Sequence, residues 1–133
     1  MRLIPIAAAI ACSIVAFAPA QSANDRAARK AEAIAAAKPA GAPVDCVSLS
    51  QISETRVRND QIIDFYMRGG KVYRNTLPNS CPQLGFEESF SYKTSLSQLC
   101  SSDIITVLQH MGGLRQGASC GLGTFQPVTG VPK

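Results

Sequence analysis

A chain of 133 residues holds one domain, and with no tryptophan and only 6% aromatic residues its core is modest. The net charge of +4 is unevenly spread: residues 45–129 carry seven acidic and seven basic side chains, so the excess sits in residues 1–44 and at Lys133. A neutral domain lacks the basic footprint whose counterion release drives nucleic-acid binding, which sets that class of partner aside.

The chain opens with Met1-Arg2, an apolar run over residues 3–18, and Ala18-Pro19-Ala20. A positive start, an apolar stretch and a small-x-small site predict a secretory signal peptide over residues 1–20, cleaved after Ala20. The expected location is therefore the periplasm or the medium, with no transmembrane span after cleavage. Two alternatives place the protein on a membrane. The apolar run, uncleaved, reaches the lower length limit of a span. Cys12, after Ala9-Ile10-Ala11, resembles a lipid-attachment site without its usual leucine.

Residues 21–44 form an Ala/Pro-rich linker. Alanine has the best helix propensity, so residues 25–37 favour a helix, but almost no large apolar side chain is available to dock it. A frayed helix or flexible spacer is expected, ended by Lys38-Pro39-Ala40-Gly41-Ala42-Pro43.

From Cys46 onward short β-forming runs alternate with turn residues. Strands are predicted at residues 51–58, 62–67, 72–77, 90–94, 104–109 and 122–128. In the hairpin around Arg68-Gly69-Gly70, a two-residue loop would mix polar and apolar groups on both faces. A three-residue loop pairs Met67 with Lys71 and gathers Ile63, Phe65, Met67, Tyr73 and Leu77 on one face, with Gly70 left-handed. Residues 104–108 are apolar on both faces and suit a central strand. The expected fold is all-β: a small antiparallel barrel or rolled sheet of about six strands over residues 45–129, followed by a tail over residues 130–133.

Four cysteines remain beyond the signal segment: Cys46, Cys81, Cys100 and Cys120. An even number in a small exported domain predicts two disulfides. No Cys-x-x-Cys pair is present and His110 is the only histidine, so zinc and thiol-redox chemistry are not expected. In a simple up-and-down meander Cys46 and Cys100 fall at one end, Cys81 and Cys120 at the other, which favours Cys46–Cys100 and Cys81–Cys120. A crossover in residues 82–90 would break that parity.

No group of residues forms a catalytic site, and neither a metal nor a cofactor is expected. The glycine-rich run 112–117 lacks the lysine and the strand–helix context of a phosphate loop, and is predicted to be flexible. Ser101-Ser102-Asp103 is the kind of segment that bonds its own backbone in a turn. His110 has no nucleophile near it in sequence. Asn75 falls on the apolar face beside Tyr73, where its amide must find partners. It either pins a neighbouring loop or, with Tyr73, lines a ligand pocket.

Taken together, Asp45-Cys46, the hairpin from Met67 through Tyr73 to Asn75 and Leu77, Cys81-Pro82, Leu99-Cys100 with Asp103, and Ala118-Ser119-Cys120-Gly121-Leu122-Gly123 resemble a family of small exported four-cysteine bacterial proteins, a domain of unknown function. Ser102 stands where that family's pattern has glycine. The resemblance covers residues 45–129 and implies an exported disulfide-bonded domain without an assigned activity. The leading expectation is a non-catalytic envelope module that binds an unknown protein or envelope component through the barrel surface or residues 112–119. A small-ligand carrier using Tyr73 and Asn75 is the alternative, and an enzyme depending on Asp103 the third.

Overall fold

The computed structural model describes residues 23–133 apart from Ser95; the predicted signal segment and Cys12 lie outside the described residues. Among the described residues no helix is long and apolar enough to cross a membrane. Helix α1 (Ala23–Ala36) precedes ten short strands: β1 (Lys38–Pro39), β2 (Cys46–Ser48), β3 (Ile52–Val57), β4 (Ile62–Met67), β5 (Val72–Thr76), β6 (Phe90–Tyr92), β7 (Gln98–Cys100), β8 (Ile104–Gln109), β9 (Arg115–Gly121) and β10 (Phe125–Thr129). A one-turn helix, α2 (Leu84–Glu87), lies between β5 and β6.

Three antiparallel sheets result. The largest has the order β1-β10-β5-β4-β3, beside a β6-β8-β9 sheet and a β2-β7 ladder. Closing a barrel needs one unbroken ladder. Here the chain divides its pairing among three sheets, so the domain is a rolled β structure and not a closed barrel. Its inner faces share one core, in which Phe65 packs edge-on against Phe125 at 5.3 Å and Phe90 at 6.5 Å. Ile63, Leu77, Leu84, Leu99, Ile105 and Val107 fill the space around them, all fully buried.

The β4–β5 hairpin has the odd loop. Met67 N–H donates to Lys71 O at 2.8 Å, Phe65 faces Tyr73, and Gly69 and Gly70 take φ of 90° and 92°. The topology, however, is not a meander. β10 crosses over to pair with β5, which places the last strand inside the large sheet. The disulfides therefore follow from local pairing and not from alternation of ends. β2 and β7 set Cys46 directly opposite Cys100, where the two are bonded. Asp45 O accepts from Ser101 N–H at 2.7 Å. The adjacent Cys46/Cys100 pair is thus a non-hydrogen-bonded one, and such pairs bring side chains closest. The second bond, Cys81–Cys120, ties the loop after β5 to β9 of the smaller sheet.

Two segments depart from expectation. Residues 112–119 are not a loop: β9 begins at Arg115, and only residues 110–114 turn. Its run of small residues fits a bulged strand. The register slips between Thr106 and Leu108, and a Cβ at Gly117 would press on the Gln109 side chain and the Val107 carbonyl. Conversely, residues 122–124 are not strand, because Asn75 holds the chain there in another conformation.

The second departure is residues 21–44, which are not a free spacer where described. β1 pairs with β10, and α1 lies on the outer face of the large sheet with Ala33 fully buried. A small residue at that contact lets the helix backbone approach closely. Two carbonyls of its last turn, Ala33 O and Ile34 O, accept from the Arg74 guanidinium at 3.1 and 2.9 Å. Helix ends leave such carbonyls without partners, and a cation beside them also matches the negative end of the helix dipole. Docking is thus polar, which is why no apolar stripe announced it.

Candidate functional site

Tyr73 and Asn75 do not share a pocket. Asn75 is fully buried; its Nδ2 donates to Gly123 O at 2.7 Å and its Oδ1 accepts from Gly123 N–H at 2.8 Å. Both functions of the amide are consumed in pinning that loop. A Cβ at Gly123 would run into the Thr76 carbonyl, so the contact requires glycine. Tyr73 instead lines a shallow cleft with Cys46, Gln51 and Met67, with the Lys71 ammonium 5.0 Å over its ring. Asn75→Ala leaves two part-buried backbone groups of Gly123 without partners and should cost about 1–3 kcal/mol in urea unfolding. A loss below about 1 kcal/mol would show that the loop is held by something else.

Asp103 is likewise occupied in a turn, its Oδ2 accepting from Cys100 N–H at 2.7 Å. His110, half-exposed at the end of β8, meets Glu87 of α2 at 3.2 Å. The turn beyond it exposes Met111 and Leu114.

The face of the large sheet beneath α1 carries a buried charge cluster. Along β4 and β5, residues alternate between core and α1, so Asp64, Tyr66 and Arg74 share the α1 side with Arg58. Asp64 is fully buried and takes both arginines. Arg74 approaches with Nε at 2.7 Å and Nη2 at 2.8 Å, and Arg58 Nε donates at 2.8 Å. Arg58 Nη2 also donates to Tyr66 Oη at 2.7 Å, and the Tyr66 hydroxyl donates to Pro132 O at 2.7 Å. The tail at residues 130–133 is thereby fastened to the sheet. Among the described residues no buried side-chain polar atom lacks a partner.

Burial raises the Tyr66 phenol above its ordinary value of 10, with Arg58 opposing the rise and Asp64 adding to it. An acid whose folded pKa is raised stabilises the fold fully below its unfolded pKa, and that contribution is lost as pH rises through the folded value. Stability should therefore fall above pH 10, and Tyr66→Phe should flatten that part of a stability–pH curve. Parallel curves for the two proteins would remove Tyr66 from the alkaline transition.

At the rim of this cluster, α1 and β3 border an open groove of about 460 Å³ lined by Arg26, Arg29, Lys30, Arg56 and Arg58 against Glu54 and Glu88. Three of the cations lie on α1 at spacings of three and one, which puts them on one helical face. Glu54, Arg56 and Arg58 alternate along β3 and point to the same side. Lys30 pairs with Glu88, Arg56 reaches Glu54 at 2.8 Å, and Arg58 is held by Asp64. Arg26 and Arg29 are exposed and meet no carboxylate among the described residues.

The floor of the groove is a free sheet edge. Arg58 N–H donates to Ile62 O at 2.8 Å, so Arg58, Arg56 and Glu54 spend their backbone groups on β4. The intervening Thr55 and Val57 turn theirs outward, where no strand of the described residues pairs with them. Sequence reading missed this groove because its cations were divided between a stretch taken for a linker and a strand, residues 51–58, whose faces were not assigned.

No family model matches the chain, and neither a curated protein nor a solved structure matches it.

Proposed function

We propose that this is an exported, non-catalytic module that binds a partner protein of the cell envelope through the groove between α1 and β3. The observation that carries the reading is the gathering of five cations around an open sheet edge. Residues 45–129 as a whole, Arg56 and Arg58 included, are balanced in charge. Two disulfides suit an oxidising compartment, and the apolar start of the chain supplies a route to it. The docked helix supports the same reading, since it makes residues 23–36 part of the binding surface and not a tether.

A photo-crosslinking residue at Thr55, introduced into the full chain in its native cells, tests this. One discrete partner should be captured there, lost with Arg26→Glu/Arg29→Glu and kept with Met111→Ser/Leu114→Ser. Capture that follows the β8–β9 turn instead, or no capture at Thr55, overturns it. Mass measurement of the mature chain checks export: it should begin at Gln21 and lack the four thiol hydrogens.

A further inference from the structure

We infer that the groove takes an acidic segment in extended conformation, which adds to β3 as a sixth strand of the large sheet. This rests on the groove being the docking surface and names the chemistry of what docks. Backbone and charge lead to the same occupant. Thr55 offers one outward N–H and one outward C=O, the requirement for adding a strand, whereas the outward groups of Val57 belong to a residue only 6% exposed, at the covered end of the edge. Thr55 is exposed, so the edge is open at that point.

Side chains then set the specificity. An added strand shows alternate residues to opposite faces of the sheet, and only the α1 side is cationic. Every second residue of the incoming segment faces Arg26, Arg29 and Arg56, so carboxylates at alternate positions fit and a contiguous acidic block does not. Lys30, Arg56 and Arg58 are already engaged by Glu88, Glu54 and Asp64, which leaves Arg26 and Arg29 as the cations that meet no carboxylate among the described residues. A bulge at Ile52/Glu54 bends β3 at its start, limiting the added strand to about the length of residues 54–58.

The test uses the full, disulfide-bonded chain and a seven-residue peptide alternating glutamate with valine or threonine, followed by fluorescence anisotropy. Binding should weaken about tenfold with Arg26→Gln/Arg29→Gln and again in high salt. A peptide N-methylated at the residues facing β3 should bind at least tenfold more weakly, because charge is kept while ladder bonds are lost. Thr55→Pro should have the same effect while leaving the fold intact, since the Thr55 N–H is not used by β4. Equal binding of the N-methylated peptide, or of a peptide with its glutamates in one block, overturns the strand model. So does a site that takes inorganic polyphosphate but not the peptide. If Thr55 still captures a partner in cells under that result, this inference fails alone and the module reading stands.

Discussion

Asp64→Asn should lower the unfolding free energy by about 3–5 kcal/mol, as much as truncating a large side chain of the core. The change keeps the shape of the side chain and removes its charge. Arg58 and Arg74, both nearly buried, then face each other across the site with no anion between them. A buried pair contributes little net stability when intact, but removing one partner leaves charge without compensation. Here one carboxylate serves two guanidiniums, so the penalty falls on both. Arg74 also holds the last carbonyls of α1, and the damage should spread to the helix. Hydrogen exchange across residues 23–36 should accelerate in Asp64→Asn more than in β4 or β8. A midpoint shift worth less than about 1 kcal/mol in urea would mean that water reaches the arginines and that the cluster is not a dry core.

Removing the Cys81–Cys120 bond should be nearly as costly. On the chain-entropy view, a loop closed over 39 positions stabilises by about 4 kcal/mol, against about 5–15 kcal/mol for a whole domain. Cys46–Cys100 closes 54 positions and should match it on that scale. Their consequences should nevertheless differ. Cys46–Cys100 staples two strands that already pair, whereas Cys81–Cys120 is a link between the large sheet and the β6-β8-β9 sheet. Cys81→Ser/Cys120→Ser should therefore loosen the packing of Val107 and Ile105 against Phe65 and lose near-ultraviolet circular dichroism first. Cys46→Ser/Cys100→Ser should melt earlier but with a native spectrum. Identical spectra and midpoints for the two variants would show that loop closure alone matters.

Several features could be read directly from the order of residues because their causes are local. The β4–β5 register follows from loop parity: one residue more or less would turn Phe65 and Ile63 out of the core. The Asp103 turn and the amide of Asn75 follow from what short polar side chains do when buried or bent. Elsewhere local cues misled. Gly112, Gly113 and Gly117 suggested one flexible loop, but Gly117 belongs to a strand that needs a small residue under Gln109. Alanine-rich residues 25–37 suggested a spacer because no apolar stripe was visible, and none was needed.

The all-β class, the two-disulfide framework and the face each residue of the central hairpin presents were legible in the order of residues, which left a barrel and a rolled sheet both open. These depend on alternation and composition over a few residues. The placement of β10 beside β5, the helix laid over Asp64, and the groove of cations along the β3 edge were decided only by the tertiary structure. Each brings together residues far apart in the chain, and such contacts leave no periodic trace in the sequence.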